Sequence, residues 1–249
     1  MIRCSSICCF LVLVTFPVDA QETVPLNTLK LNVNRLKTWE TKSYSYEATR
    51  PGSNEKAGEG RFVLKTVVGP DSVLLDDTMA LIYRGKELSL HLTHQCRTDS
   101  YLSPIRIEST GEGDDEFGTF VATIDGKKAT VRTKGRDKEI GLPQGTVSSW
   151  AFFRLVTLLP REKGNRVSFD HWLESEEFNL KKGFVVECTG RDVVQAGREG
   201  VTCTKFCLTG GGNHPAYYWV DDNGVLRQVL LDERKWIRLR DGGSGASGR

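Results

Sequence analysis

Between Leu88 and Cys96 the chain alternates without a break: Leu88, Leu90, Leu92, His94 and Cys96 hold every second position, with Ser89, His91, Thr93 and Gln95 between them. Successive side chains of a strand point to opposite faces, so a period of two with one oily set fits a β-strand buried on one side and no helix. The same texture recurs along most of the chain. Runs rich in Val, Ile, Thr, Tyr and Phe lie between Gly, Asp and Asn clusters, which predicts strands near Lys42–Thr49, Arg61–Val68, Ser72–Tyr83, Ile105–Ser109, Phe117–Ile124, Lys128–Thr133, Arg166–Glu174, Gly183–Thr189, Val201–Thr209, Ala216–Val220 and Val225–Asp232. Asp125-Gly126, between Ile124 and Lys127, and Asn223-Gly224, after Trp219–Asp222, carry the two-residue hairpin signal. Short antiparallel strands joined this way form a meander.

Two segments break the pattern. Pro25 to about Trp39 places Leu29, Leu31, Val33 and Leu36 among Lys and Asn, which suggests a short N-terminal helix. The second is stronger: Thr146 or Ser148 can cap a run through Trp150, Ala151, Phe152, Phe153, Leu155, Val156, Leu158 and Leu159 that stops at Pro160, interrupted only by Arg154 and Thr157. A helix apolar on nearly every side must be enclosed. The expected fold is therefore mainly β (α+β): a curved antiparallel sheet, a half-barrel or open barrel, with one or two helices packed in its concave face. Pro51–Gly60, the acidic Gly111–Gly118 and Gly210–Pro215 read as loops. Residues 242–249, GGSGASGR, read as a disordered tail, and no repeat or boundary divides residues 21–241.

Residues 1–20 have a different character. Arg3 is followed by an apolar run from about Ile7 to Phe16 and a small-residue site ending at Ala20, the layout of a secretory signal peptide cleaved between Ala20 and Gln21. The run falls short of the roughly 20 residues that cross a bilayer, and no second one follows, so a secreted or periplasmic protein without a membrane-spanning segment is expected. Three of the seven cysteines leave with that segment, and Cys96, Cys188, Cys203 and Cys207 remain. In an oxidising space they suggest disulfides. Cys203 and Cys207 span about 13 Å along a strand, too far for one bridge. The preferred pairing is Cys188 with Cys203 and Cys96 with Cys207; free buried thiols are the alternative. A four-Cys zinc site lacks the C-x-x-C pair that would seed it.

The formal charge is +2, with Lys and Arg interleaved among Asp and Glu, so no basic stripe offers itself to nucleic acid. Catalytic signatures are equally scarce. No zinc-hydrolase H-E-x-x-H, nucleophile elbow, phosphate loop or dinucleotide fingerprint occurs. Neither a cofactor nor a metal is implied. His91 and His94, three apart on a strand, face opposite ways and cannot share an ion. Asp170 cannot orient His171 for the same reason, and His214 before Pro215 reads as a turn residue. Asp114, Asp115 and Glu116, like Asp221 and Asp222, lack the alternating spacing of a calcium loop.

Two segments, GTVSSWAFFRLVTLLPREKGNRVSFDHW and YYWVDDNGVLRQVLLDE, carry a resemblance. They resemble exported bacterial proteins assigned to a domain of unknown function and similar to the LolA/LolB-like half-barrel superfamily. The match covers roughly residues 145–240: an apolar helix ending at Pro160, the Lys163-Gly164 turn into a strand, and a late aromatic hairpin. It implies a curved sheet around helices with an apolar concavity, and members that carry lipoproteins or lipids. The cysteines are not part of that plan, and no functional residue is carried over. The reading that follows is a non-catalytic binding protein taking a lipid, an acyl chain or an apolar protein segment, with Trp150 and Phe153 as lining candidates. An envelope interaction protein with a closed core, and a secreted hydrolase gathering His171, His214 or paired carboxylates, are the alternatives.

Overall fold

The computed structural model describes residues 22–38, 41–113, 119–133, 136–175, 178–196 and 199–240. The signal segment with Ala20 and Gln21, the acidic Asp114–Glu116 and the Gly/Ser tail lie outside them. Sixteen strands follow in chain order. They are β1 Thr23–Pro25, β2 Thr41–Thr49, β3 Lys56–Val68, β4 Ser72–Tyr83, β5 Lys86–Arg97, β6 Pro104–Glu112, β7 Phe120–Asp125, β8 Lys128–Thr133, β9 Arg136–Gly141, β10 Thr146–Ser148, β11 Arg166–Glu174, β12 Asn179–Ala196, β13 Glu199–Gly210, β14 Ala216–Asp221, β15 Leu226–Leu231 and β16 Lys235–Leu239. Among the described residues one α-helix, α1, runs Ser149–Leu155 and tightens into a 3-10 turn over Val156–Leu158.

All sixteen strands belong to one sheet. Its order is β1-β11-β12-β13-β14-β15-β16-β2-β3-β4-β5-β6-β7-β8-β9, with β10 added along β11. Two antiparallel meanders, β11–β16 and β2–β9, are joined where Ile237 of β16 pairs with Tyr46 of β2. The sheet curves without closing, and β1 and β10 pair with β11 in parallel. Alternation sets which face turns inward. On β4 the buried positions are Val73, Leu75, Asp77 and Met79, and on β5 Leu88, Leu90, Leu92, His94 and Cys96.

Differences from the expected elements are local. The Asp125-Gly126 hairpin turns one residue later, over Gly126 and Lys127, because Asp125 pairs with Lys128 and Gly126 takes the positive φ of 57°. Lys56–Gly60, expected in a loop, extends β3, pairing with β2 and, from Gly58 onward, with β4. The N-terminal helix is replaced by two 3-10 turns, Leu26–Thr28 and Val33–Thr38, that bury Leu26, Val33 and Leu36. Four strands went unpredicted: β1 and β10 are only three residues long, β9 (RDKEIG) is charged and exposed, and β16 (KWIRL) carries two charges in five residues.

The disulfides require correction. Cys96, Cys188, Cys203 and Cys207 are all free thiols. Cys188 lies opposite Phe206 and Cys203 opposite Asp192; Cys188 packs in the main core while Cys203 packs in a separate cluster with Val194 and Trp219. Cys96 lies in the core on β5, and Cys207 is half-buried on β13 between the core residues Phe206 and Leu208. Neither expected pair can meet, because the members of each are directed to different faces or different walls of the sheet.

Candidate functional site

Helix α1 is short, but every residue from Trp150 to Leu155 is buried. Its contacts come from both sides of the curve. Trp150 stacks on Phe62 of β3 with ring centroids 5.6 Å apart, and Phe152 meets Trp172 of β11 at 5.4 Å and Tyr218 of β14 at 5.1 Å. A helix touching opposing walls of one sheet lies inside its concavity, as its all-round apolar pattern requires. Phe169, Trp172 and Phe184 continue the aromatic packing, with Phe169 and Trp172 5.7 and 5.3 Å from Phe184. Each such ring, fully buried, contributes about 1.5–3 kcal/mol.

Arg154 departs from this pattern, and its chemistry is met in full. Its side chain is 0% exposed, as is that of Asp77. Nη1 donates to Asp77 Oδ2 at 2.8 Å, Nη2 to Asp77 Oδ1 and to the Lys65 carbonyl at 3.0 Å, and Nε to Thr66 Oγ1 at 3.0 Å. A bidentate pair with further hydrogen bonds is the arrangement that makes a buried charge tolerable. Burial pushes the Asp77 carboxyl above the ordinary carboxylate range, and the Arg154 guanidinium pulls it back. Sequence reasoning passed over both residues. The available signal was a lone Arg in an enclosed helix, which demands a carboxylate, and one Asp on the inward face of a candidate strand supplies it.

A second polar line begins at His94. Its Nε2 lies 3.0 Å from Ser148 Oγ, which lies 2.6 Å from Ser175 Oγ. Burial, with Arg154 adding to it, holds the His94 pKa down at about 3, so the ring is neutral. Its Nδ1 has no hydrogen-bond partner. His91 is on the outer face, 2.8 Å from Asp76 Oδ1, so the two histidines point apart as expected. His171 is half-exposed on β11. Asp221 closes the β14–β15 turn by accepting from the Val225 amide and from Arg227 Nε, and Asp222 pairs with Arg191. Among the described residues no group of three His, Cys, Asp or Glu is placed to hold a metal ion.

The concavity is not filled. Beside the N-terminal half of α1 lies a cleft of about 430 Å³. Its walls include Tyr46, Phe62, Trp172 and Tyr218 together with Trp150 and Phe153 of α1. Leu81, Leu208, Leu231 and Ile237 add aliphatic surface, while Glu174, Lys181, Asn213, His214, Asp232 and Lys235 supply the polar part. Lys181 Nζ donates to Glu174 at 2.6 Å and to Asn213 at 2.8 Å, and Lys235 Nζ to Asp232 at 2.7 Å. Gly210 also lines the cleft at a φ of 136°; a β-carbon there would stand 2.1 Å from the Gly183 carbonyl, so only glycine lets β13 lie against the start of β12. The cleft draws on nine strands and the helix, and no local motif announces such a set.

Among the described residues, no helix is long and apolar enough to cross a membrane. No family model matches the chain, and no curated protein matches it. Its fold is similar to the crystal structure of a β-barrel-like protein of domain of unknown function DUF1849 from Brucella abortus, with a TM-score of 0.53 and 10% identity over 80% of this chain and 94% of that one. At that identity the likeness carries the fold alone. It supports a curved, barrel-like β protein and does not single out the LolA/LolB-like superfamily.

Proposed function

We propose that the protein is an exported, non-catalytic binding protein that takes a lipid, an acyl chain or an apolar protein segment into the cleft beside α1. The observation that carries this reading is the cleft itself: about 430 Å³, walled by aromatic and aliphatic side chains and bordered by paired charges. Ligand sites typically fall between about 300 and 1,000 Å³, with oily walls and a few polar groups that orient the guest. The signal-like residues 1–20 support a carrier that works outside the cytoplasm, and the resemblance to half-barrel carriers agrees with the role. Trp150 and Phe153 are the residues assigned to the guest.

The test is native mass spectrometry on gently purified protein, with lipid extraction of the same sample. A retained hydrocarbon-bearing adduct is expected, along with quenching of tryptophan fluorescence by an acyl-chain probe that Trp150→Ala weakens. Protein that carries nothing and does not respond to the probe would remove the carrier reading.

A further inference from the structure

The far end of α1 forms a second concavity. A groove of about 390 Å³ lies where the 3-10 turn ends, between Leu158–Arg161 and the segment Leu29–Arg35. Its composition is one-sided: Lys30, Arg35 and Arg161 supply three cations, Leu29, Leu158 and Pro160 are typical of the remainder, and no carboxylate among the described residues lines it.

The two carboxylates whose charge reaches Arg161, Asp222 and Asp221, are held by other arginines. Asp222 is held by both Arg191 guanidinium nitrogens at 2.6 and 2.8 Å, and Asp221 by Arg227 at 2.7 Å. Arg161 uses two of its donors on main-chain carbonyls, those of Asp221 at 2.7 Å and Thr157 at 3.3 Å. Gly224 shows how closely two guanidiniums converge: a β-carbon there would lie 3.4 Å from Arg35 Nη2 and 3.5 Å from Arg161 Nη2. Burial holds the Arg161 pKa below its ordinary value and the charge of Arg35 lowers it further, while Asp222 and Asp221 act the other way. Two guanidiniums and an ammonium beside an oily floor suit an oxyanion attached to hydrocarbon, because planar guanidinium donors match phosphate oxygens while leucine and proline accept the adjoining chain.

We propose that the Lys30–Arg35–Arg161 groove binds the phosphate headgroup of an anionic phospholipid and so seats this end of the protein on a membrane surface. The experiment is co-sedimentation of the full chain with vesicles of phosphatidylcholine alone or mixed with phosphatidylglycerol. Binding to the mixed vesicles only is expected, weakening as salt rises. Arg161→Gln should reduce it about tenfold, the loss of a charge-assisted hydrogen bond. Lys30 and Arg35 are exposed, so Lys30→Gln and Arg35→Gln test the groove without disturbing the core, and each should weaken binding severalfold. Lys138→Gln, at an exposed cation on β9, should leave it unchanged, which separates this groove from general attraction of positive charge. Equal binding to both vesicle types, or no response to the three glutamine variants, overturns the assignment. Saturable binding of inorganic phosphate without vesicle binding overturns the lipid source and leaves a free-anion site.

Discussion

At the scale of single residues, the decisive pair is Arg154 with Asp77, two full charges with no exposed surface. Removing one partner strands the other in a low-dielectric interior, and that costs more than the pair itself contributes. Arg154→Met should therefore destabilise the fold by about 3–5 kcal/mol, whereas Arg154→Met with Asp77→Leu should recover most of the loss. Urea denaturation of the two single variants and the double variant closes the cycle; an additive result would contradict direct coupling. His94 adds a pH dependence of definite sign. Its folded pKa of about 3 lies below the ordinary 6.5, so the unfolded chain takes up a proton first as pH falls. The contribution is fully present above about pH 6.5 and is lost progressively toward pH 3, on the order of 3 kcal/mol by pH 4. His94→Gln, which keeps a donor for Ser148, should flatten that part of the acid limb when urea midpoints are compared between about pH 7 and pH 4.

At the scale of elements, α1 is a seven-residue helix that packing sustains, since isolated helices shorter than about 12 residues are marginal in water. Its two faces do different work. Phe152 is 0% exposed between Phe169, Trp172 and Tyr218, whereas Phe153 lines the cleft. Phe152→Ala should cost about 3–5 kcal/mol because its cavity is closed. Phe153→Ala should cost clearly less, because the space it leaves joins one already open, and it should alter acyl-probe binding instead. Thermal melts and probe titrations on both variants distinguish the two faces. Most elements were legible in the residues: β4 and β8 run as predicted, and Pro160 follows the turn that ends α1. The exceptions have physical causes. β9 and β16 carry charges at positions a buried strand would fill with apolar residues, and the sheet forms them by pairing rather than by burial.

At the scale of the whole molecule, the sheet brings together residues far apart in the chain and keeps apart residues that composition invites one to join. The cysteines are the clearest case. Four thiols outside a signal-like segment invite bridges, yet the register sends Cys188 and Cys203 into separate clusters and holds Cys96 in the core of β5. Thiol labelling without reductant should reach Cys96, Cys188, Cys203 and Cys207 after unfolding, with Cys96, Cys188 and Cys203 protected while the protein is folded. A native mass lower by one or two pairs of hydrogens would contradict free thiols. The cleft is a whole-molecule property too. Tyr46, Phe62, Trp172 and Tyr218 belong to four strands, β2, β3, β11 and β14, whose separation in sequence gives no hint that they face one another.

The amino-acid order alone determined that this chain is a β meander with one enclosed helix, because side-chain periodicity reports which face of each element avoids water, and that information is local. It also placed Trp150 and Phe153 on that enclosed helix, for the same reason. Only the tertiary structure decided that the curved sheet leaves a cleft beside them, that Arg154 finds Asp77, that the thiols stay apart, and that Lys30, Arg35 and Arg161 share a groove. These depend on strand order and register across the sheet, which long-range pairing sets and which nearest-neighbour patterns do not encode.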